Sequence, residues 1–515
     1  MNTGVRLRAA SAGMAAAVLA AGVGELAAAV VAPASSPFAV IGAALIDLAP
    51  PWAKDTAIAW FGTADKIALL VGIAIVMLAV AAGAGLLEAA RAPLGEVVVG
   101  ASAAVGVVVA VTRSDATGIA WLPSALAGLA GVIAIRYLVR LAVGSAPGAV
   151  PHQPPVDTEV PRRRFLAWTG AAGVVGVLAL IGGNLARAGE RAVTAARDAL
   201  GLPAPAVKAP PVPAGAELDI PGLARIVTPN DAFYRIDTAL VVPEVDPAGW
   251  SLRIHGMVER EVVISWNELV SLPLEESYTT LACVSNPVGG TLIGNAKWLG
   301  YPIRELLARA APSADADMVL STSIDGFSAS TPLDVLTDDR ASILAVGMND
   351  EPLPIEHGFP VRMVVPGLYG YVSATKWVVD LEVTRFDRST AYWTTRGWSA
   401  RGPIKLQSRI DVPRRGQGLT AGDTVIAGVA WQQHVGVSGV EVQIDEGPWV
   451  QASLAPAISD DTWVQWSLPW TATEGSHLIR CRAISATGEV QTEERAAVAP
   501  DGATGWDERF LEVFS

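Results

Sequence analysis

The sequence has few cysteines and histidines, and these scarcities exclude several kinds of site. Only two cysteines, Cys283 and Cys481, occur in 515 residues, and because roughly two hundred residues separate them a disulfide framework is not expected. The five histidines all lie outside the long apolar runs, which excludes paired axial histidines for a membrane haem. No Cys-x-x-Cys-His haem attachment occurs either.

Positive charge is scarce in the larger, C-terminal part of the chain. Residues 1–200 contain 14 Lys and Arg against 11 Asp and Glu, whereas the remainder contains 23 against 39, so the net charges are +3 and −16. Because nucleic-acid phosphates require a basic face, this acidic part excludes nucleic acid as a partner. The contrast also indicates that the two parts lie in different solvents.

The first 145 residues lack charge over long stretches. Most of these stretches approach the ~20 apolar residues that cross a bilayer, so we predict about four membrane helices in 1–145. The third stretch is the shortest, and a buried hairpin is its alternative. Polar residues are too few within the stretches to favour a transporter. The four runs are Ala9 to Ala32, Ile67 to Leu87, Val97 to Val111 and Ala120 to Val143.

A twin-arginine arrangement follows the apolar runs. We predict a cytoplasmic linker at 146–164 that ends in three arginines, followed by Phe165, Leu166 and a fifth membrane helix or signal anchor at 165–186. Such segments resemble signals that export proteins already folded. A plain anchor with its positive flank inside is the alternative. Cleavage is not expected, because no clear small-residue site follows Leu180.

Either interpretation of the arginines predicts the same topology. With Arg6 and Arg8 inside, four crossings return the chain to the cytoplasm, where Arg136, Arg140 and the arginine triplet lie. The fifth crossing leaves again. Everything after about Asn184 is therefore expected to be extracytoplasmic, on a multi-pass protein of the cell membrane.

The region beyond the membrane part divides into a linker and two domains. A Pro-rich composition at 187–216 favours an extended, semi-rigid linker. Short alternating runs mixed with helical patterns then predict an α+β domain at 217–395. The runs are Trp250 to Met257, Met318 to Ser323 and Val361 to Val365, and the helical patterns are Ser265 to Ser271 and Ile303 to Ala311.

Residues 400–515 predict an all-β domain. Several short strands separated by turns, without a long helical period, suggest an immunoglobulin-like sandwich. Cys481 lies on one of these runs and is interpreted as a small buried hydrophobic residue. The predicted strands are Asp423 to Trp431, Val437 to Asp445, Trp449 to Leu454, Thr462 to Leu468 and Ser476 to Ala483.

Cys283 is the residue most indicative of chemistry. It lies between Thr280 and Gly290, where a strand-like run breaks into a polar, Gly-rich turn, and a thiolate at a strand end is accessible to a transition metal. No second cysteine or nearby histidine completes a zinc or iron-sulfur set. Any metal here therefore needs ligands from something other than protein.

Four motifs resemble the sulfite oxidase family of molybdopterin enzymes, in that family's order. The resemblance extends over roughly Glu217 to Ser515, including the family's C-terminal immunoglobulin-like domain. It implies a molybdenum-molybdopterin cofactor whose metal is held by the Cys283 thiolate and by the pterin dithiolene. The motifs lie at Thr228 to Tyr234, Thr280 to Gly290, Met348 to Pro360 and Arg362 to Trp377.

The resemblance also assigns cofactor-binding positions. Asn230, Phe233 and Tyr234 fall where the family's first loop meets the pterin, and Ser323 falls at another cofactor contact. His357 and Arg362 fall at the phosphate end, where an arginine offers a planar fork for phosphate. The neighbouring turn adds hydroxyls, backbone N–H groups and a cation from Ser373, Thr375 and Lys376.

The sequence departs from authentic sulfite oxidases at the oxyanion pocket. Pro229 stands where an arginine is expected, Val284 to Val288 contain no arginine, and Val346 stands at a tyrosine position. Without convergent guanidinium groups, sulfite would lose charge-assisted hydrogen bonds worth roughly 1.5 to 3 kcal/mol each. A neutral or weakly polar substrate, such as a sulfoxide, is the hypothesis that follows.

The resemblance implies two-electron oxygen-atom transfer followed by one-electron discharge to a carrier. No haem domain is present, so we expect a separate cytochrome or quinone-linked protein as electron partner and a small molecule as substrate. A homodimer through the C-terminal domain stays open. The alternative function is a catalytically silent pterin-fold scaffold tethered to the membrane.

Overall fold

A computed structural model describes residues 1, 3–31, 35–48, 65–112, 118–143, 159–185, 188–239 and 241–515. The chain forms two compact units. One comprises Met1–Ala192 with Ala239–Pro243, and the other comprises Val193–Thr238 with Glu244–Ser515. The predicted cytoplasmic linker at 146–164 lies outside the described residues up to position 158, and its last residues are helical.

The first unit consists of helices. Within the described residues, five of its helices are long and apolar enough to cross a membrane, as the apolar runs predict. The third run, Val97 to Val111, lies within one continuous helix of 19 residues, so the buried-hairpin alternative is wrong. The helices are α1 Thr3–Val31, α2 Pro37–Leu48, α3 Asp65–Ala90, α4 Leu94–Thr112, α5 Leu122–Val143 and α6 Glu159–Leu185.

Glycines allow α1 to pack closely against its neighbours α3, α5 and α6. A Cβ atom on Gly13 of α1 would overlap the carbonyl group of Ala81 in α3, and one on Gly85 of α3 would overlap that of Ala9. In lipid, helices associate through close van der Waals packing rather than through the hydrophobic effect. The two glycines therefore determine how near these backbones come.

The second unit begins with an α+β part of two sheets. A helix, α7 Ala188–Ala199, precedes it. The first sheet has the order β2-β1-β10-β5-β6, and only β1 and β10 pair in parallel. The second has the order β3-β4-β7-β8, with β9 also paired to β7. The strands are β1 Ser251–Gly256, β2 Val262–Ser265, β3 Glu275–Ala282, β4 Ile293–Pro302, β5 Met318–Ser323, β6 Ser328–Pro332, β7 Ile343–Met348, β8 Glu351–Pro352, β9 Arg362–Val364 and β10 Val378–Thr384.

Short helices connect these strands, and the first two lie where the sequence predicts helical patterns, whereas the third was not predicted. They are α8 Trp266–Ser271, α9 Ile303–Ala310 and α10 Leu333–Thr337. Ser265 begins α8 with a capping box, in which its hydroxyl accepts from the Glu268 N–H and the Glu268 carboxylate accepts in return. Such a cap satisfies two backbone donors that a helix start otherwise leaves unpaired.

The C-terminal part is β-rich and contains two further sheets. Their orders are β11-β13-β17-β16 and β12-β19-β18-β14-β15. One hydrophobic core takes buried residues from both sheets, among them Trp466 and Cys481, so the structural interpretation of Cys481 agrees with its burial. The strands are β11 Gln407–Val412, β12 Leu419–Thr420, β13 Gly422–Trp431, β14 Val437–Ile444, β15 Val450–Gln451, β16 Ser453–Leu454, β17 Val464–Ala472, β18 Gly475–Ser485 and β19 Asp507–Phe514.

The Pro-rich segment departs from the prediction of a spacer. It is extended, but it is bonded along β3, the edge strand of its sheet. The Ala206 N–H donates to the Leu274 carbonyl at 2.7 Å, Val207 forms a parallel bridge with Glu275, and the Ala209 N–H donates to the Glu276 carboxylate at 3.2 Å. Residues between the prolines retain their N–H groups, so the segment covers an edge that would otherwise be open.

We expect Gly13→Ala to destabilise the first unit. The added methyl group would force α1 and α3 apart, and overpacking of this kind costs about 1–3 kcal/mol. Gly72→Ala on α3 is the matched control, because nothing lies within 4 Å of its Cβ position. Thermal unfolding in detergent measures both variants. Equal melting temperatures for the two would contradict the close-packing role of Gly13.

Candidate active site

Cys283 is positioned by the β3–β4 hairpin. The last ladder pair joins Ala282 to Ile293, and Cys283 is the first residue of the connecting loop. Its N–H donates to the Leu292 carbonyl at 2.9 Å, and its carbonyl accepts from the Asn286 N–H at 3.0 Å. The loop is therefore held at both ends. The thiol lies at a strand end, as the sequence predicts.

A cleft joins this thiol to the predicted phosphate-binding cations. Cys283 is 9% exposed, and its side chain is one of the groups that line a space of about 900 Å³, open solvent at the mouth included. Arg362, Lys376 and His357 line the same space. Phe233, Tyr234 and Ser323 do so as well. Seven of the ten residues predicted from the sequence thus lie around one cleft.

Burial raises the pKa of the Cys283 thiol above its ordinary value, while hydrogen bonds from Ser285 act in the opposite direction. A buried thiol of this kind is a poor anion by itself. The thiol becomes a thiolate when a cation close to the sulfur compensates the negative charge. A coordinated metal ion deprotonates a thiol in this way. Cys283 therefore suits a metal ligand better than a free nucleophile.

Arg362 is a buried cation that forms no carboxylate ion pair among the described residues. It is 5% exposed. Its Nη1 donates to the His357 carbonyl at 3.1 Å, its Nε donates to the Met363 carbonyl at 3.3 Å, and its guanidinium lies 5.1 Å from the centre of the Trp298 ring. Burial lowers its pKa to about 10, so it remains charged at neutral pH. A buried guanidinium without a carboxylate partner is stabilised by a bound anion.

Lys376 supplies the second cation of the cleft. Its Nζ donates to the Asp237 carboxylate at 2.7 Å and to the Glu356 carbonyl at 2.9 Å. Burial lowers the pKa of Lys376 to about 8, although Asp237 favours the charged form. Arg235 also pairs with Asp237, at 2.9 Å. The sequence motifs did not point to this carboxylate.

His357 connects the two loops that border the cations. Burial, together with the charges of Arg362 and Lys376, lowers its pKa to about 3, so the imidazole is neutral at physiological pH. Its Nε2 lies 3.3 Å from the Asn230 carbonyl, and a neutral ring must donate in such a contact. Its ring packs edge-on against Phe233, with centroids 5.5 Å apart.

Ser323 is a buried polar residue with an unpartnered hydroxyl. Its side chain is 2% exposed, and within the described part of the chain its Oγ forms no hydrogen bond. Leaving a buried hydroxyl unpaired costs about 1–3 kcal/mol. Because Ser323 lines the cleft, a polar ligand there would satisfy it.

Three predicted residues do not line the cleft. The Asn230 side chain binds Asn349 at 2.8 Å and Glu351 at 2.7 Å, and only its carbonyl reaches His357. The Ser373 hydroxyl donates to the Tyr369 carbonyl at 2.9 Å. The Thr375 hydroxyl lies 2.7 Å from that of Ser321.

The prediction of free hydroxyls at Ser373 and Thr375 is therefore wrong, for a common physical reason. Both side chains are fully buried, and buried hydroxyls bond to whatever polar group the fold places beside them. What this turn contributes to the cleft is the cation of Lys376.

Most aromatic and acidic residues of the cleft lie outside the four sequence motifs, and Tyr371 lies within the last motif but was not assigned a role. Tyr371, Trp393, Trp398 and Phe327 line it together with Asp237 and Asp325. The one sequence feature that could have indicated them is the cluster of aromatic residues after position 391. It lies in a stretch whose pattern is typical of a connection between domains. Nothing in that local pattern indicates that these rings approach the thiol.

Protein groups alone do not form a metal site in the described part of the chain, where no three His, Cys, Asp or Glu side chains converge. A metal at Cys283 therefore needs ligands from a bound organic group. A cleft with one thiol, two buried cations and an unpartnered hydroxyl fits a group that carries metal-binding sulfur at one end and phosphate at the other.

The comparisons with known proteins agree with this chemistry. Residues 239–393 match the family described as "Oxidoreductase molybdopterin binding domain". YuiH, an oxidoreductase of Bacillus subtilis (strain 168), is 31% identical over 180 residues, 34% of this chain and 87% of that protein. The sulfite oxidase of Gallus gallus is 29% identical over 323 residues, 53% of this chain and 70% of that protein. The alignment with the mitochondrial sulfite oxidase of Homo sapiens spans 58% of that protein.

One solved structure shares the fold of 56% of this chain. The sulfane dehydrogenase SoxCD from Paracoccus pantotrophus aligns with a TM-score of 0.50 at 22% identity, covering 56% of this chain and 84% of that one. At this identity the likeness concerns the fold alone.

Substitution of His357 by Gln is expected to make the second unit less sensitive to acid. The folded imidazole has a pKa of about 3, whereas an unfolded histidine titrates near ~6.5. Between these values the unfolded state binds more protons, so stability falls as the pH falls. At pH 5 this loss is about 2 kcal/mol relative to pH 7. Thermal unfolding at the two pH values, at equal molybdenum content, measures the difference.

His477→Gln is the control variant, and its effect on the pH dependence of stability is expected to have the opposite sign. A hydrogen bond with Asp445 raises the pKa of His477, so the stability that it contributes is present at low pH and is lost as the pH rises. This variant should therefore lose more stability at pH 5 than at pH 7. The same pH response in both variants would contradict the assignment of a neutral, buried His357.

Proposed function

The chain belongs to the sulfite oxidase-like family of molybdopterin-dependent oxidoreductases, and from that premise we propose that it is a membrane-anchored, extracytoplasmic enzyme of two-electron oxygen-atom transfer. The molybdenum-molybdopterin cofactor follows from the family. The observation that carries the proposal is the single cleft in which the Cys283 thiol and the buried cations Arg362 and Lys376 meet.

The residues of this cleft suit the parts of the cofactor. We assign Cys283 to the metal, and Arg362 and Lys376 to the phosphate, because a buried guanidinium and a buried ammonium group gain most from an anion. Ser323 offers its unpartnered hydroxyl. We assign Phe233 and Tyr234 to the pterin, and Asn230 to the same end through its backbone. His357 is assigned to the phosphate end, and so is the turn with Ser373 and Thr375 through its backbone.

When bound, the cofactor supplies two-electron redox chemistry at the metal. The protein's own residues hold, orient and shield it. Neutral His357 donates to the Asn230 carbonyl and so keeps two cofactor-facing loops together. Phe233 stacks on Tyr234 with centroids 5.2 Å apart and meets Trp298 edge-on at 5.9 Å. These rings exclude water from the cation end. No side chain is assigned as a general base.

The lining near the thiol favours a neutral substrate over sulfite. Val284, Ser285, Gly370 and Tyr371 line the cleft beside Cys283, and none of them carries a charge. In our assignment Arg362 binds the phosphate of the cofactor, so it is not available to bind the substrate. A sulfoxide or another small oxygen acceptor therefore fits better than a dianion.

Anchoring by the apolar helices supports the membrane location. Five helices have the length and composition to cross a bilayer, and the arginine distribution favours a catalytic part outside the cytoplasm. On this topology electrons reach a separate cytochrome or quinone-linked protein. The two C-terminal sheets with their shared core suit an immunoglobulin-like sandwich, which would also be the place of a homodimer contact.

Cys283→Ser tests the metal assignment. Wild-type protein made with its export route intact should contain about one molybdenum per chain. The variant should lose turnover and show one sulfur fewer around the metal by X-ray absorption, because a hydroxyl does not replace a soft thiolate. Cys481→Ala, in the C-terminal core, is the matched cysteine control. Wild-type protein without molybdenum would favour the silent scaffold instead.

Steady-state assays of the loaded enzyme test the substrate class. Each charge-assisted hydrogen bond that the sulfite lacks corresponds to roughly 1.5–3 kcal/mol, or about tenfold to a hundredfold in rate. We therefore expect kcat/KM for sulfite to lie at least about a hundredfold below that for a small organic sulfoxide. Rapid sulfite turnover would refute the neutral-substrate proposal.

A further inference from the structure

Five aromatic rings form a continuous belt along the cleft. Tyr371 meets Trp398 with ring centroids 5.9 Å apart, and Trp398 meets Trp393 at 6.1 Å. Trp393 in turn meets Tyr392 at 5.2 Å, and Tyr392 meets Phe327 at 5.8 Å. All of these rings except Tyr392 line the cleft. The belt brings together three segments that are distant in the sequence.

One end of the belt lies beside the metal-binding thiol. The position of a Cβ on Gly370 lies 3.8 Å from the Ala282 carbonyl oxygen, and these are the residues that precede Tyr371 and Cys283. The Tyr371 hydroxyl donates to the Ser399 carbonyl at 2.8 Å, so the ring is held in place. A substrate that reaches the thiol end of the cleft therefore passes these rings.

The lining of the cleft contains a second carboxylate besides Asp237. Asp325 lines the cleft, and one of its oxygens accepts the Phe327 N–H at 3.3 Å. Across the described residues, it makes no ion pair with Lys, Arg or His. Asp237 differs in this respect, because Lys376 and Arg235 neutralise it. The negative charge of Asp325 thus remains available to a ligand.

Aromatic faces and an uncompensated carboxylate attract the same kind of group. The negative face of a ring binds a cation, and a group of such rings is a recognised form of ammonium-binding cage. The belt already holds one cation at its outer ring, where the Arg396 guanidinium lies 3.5 Å from the Tyr392 centroid. The net charge of −16 after residue 200 also repels anions and attracts cations.

We propose that the belt and Asp325 form a subsite for the alkylammonium group of a small organic substrate. This inference rests on the proposed function, because it treats the space beside Cys283 as the place of turnover. It modifies the substrate proposed above, because the molecule still lacks the negative charge of sulfite but carries a positive charge on its alkylammonium group. Tyr371, Trp398 and Trp393 surround the ammonium group, and Asp325 supplies its counter-charge.

Equilibrium binding of two isosteric probes tests the subsite without turnover. Choline and 3,3-dimethyl-1-butanol have nearly the same shape, and only choline is charged. Titration calorimetry of the full-length protein in detergent, with its molybdenum content measured, should give about tenfold tighter binding of choline. Tryptophan fluorescence should respond to choline at the same concentrations. Sulfate is the anionic probe and should not bind the belt.

Two substitutions distinguish the contribution of the Asp325 charge to probe binding from the contribution of the shape of the aromatic belt. Asp325→Asn preserves the side-chain shape, so choline should bind about tenfold more weakly while the neutral probe is unaffected. Trp398→Leu should weaken both probes, choline more strongly. Asp339→Asn is the control, because Asp339 is an exposed carboxylate outside the cleft lining. It should leave both affinities unchanged.

Failure of the subsite and failure of the proposed function give different results. Molybdenum-loaded protein that binds the two probes equally, or whose preference for choline survives Asp325→Asn, overturns the subsite alone. Protein made with its export route intact that lacks molybdenum overturns the enzyme proposal. If such protein still prefers choline in an Asp325-dependent manner, the cation site itself stands.

Discussion

The burial of positive charge in the same cleft as a thiol is the constraint on which the rest of the second unit depends. Arg362 and Lys376 lie in the interior, where an ion without a partner costs several kcal/mol. Asp237 compensates Lys376, but none of the described residues offers Arg362 a carboxylate. A bound anionic group would stabilise this arrangement, and the phosphate of the family's cofactor is the group that we propose. His357 is neutral because of its burial first, and the positive charges of Arg362 and Lys376 add to the lowering of its pKa.

Several long-range contacts hold this cleft in shape. The β3–β4 hairpin presents Cys283 at its turn, while the Pro-rich segment bonds along the outer side of β3 and protects that edge. Arg197 of α7 reaches the Leu353 carbonyl at 2.9 Å and the Pro352 carbonyl at 2.8 Å, close in sequence to the loop that carries His357. The two segments that the sequence predicts as a linker between domains, α7 and the Pro-rich segment, therefore stabilise the walls of the site.

The charges along the cleft differ between the part that we assign to cofactor binding and the part that we assign to substrate binding. In our proposal, the cations Arg362 and Lys376 hold the cofactor, and the aromatic belt with Asp325 binds the substrate. A related enzyme that oxidises an oxyanion needs positive charge at both places. The loss of arginines near Cys283, together with an acidic exterior, thus describes a consistent change from an anionic to a neutral or cationic substrate, with the metal-holding thiol retained.

The sequence by itself determined the apolar helices, the strand that ends at Cys283 and the order of the cofactor motifs, because periodicity, composition and motif spacing are local properties. Only the tertiary structure decided which hydroxyls are consumed by internal bonds, as at Ser373 and Thr375, and that Ser323 is left without a partner. It also decided that the Pro-rich segment covers a sheet edge. The belt from Phe327 through Tyr371 to Trp398 could not be read locally, since long-range packing alone brings its rings together.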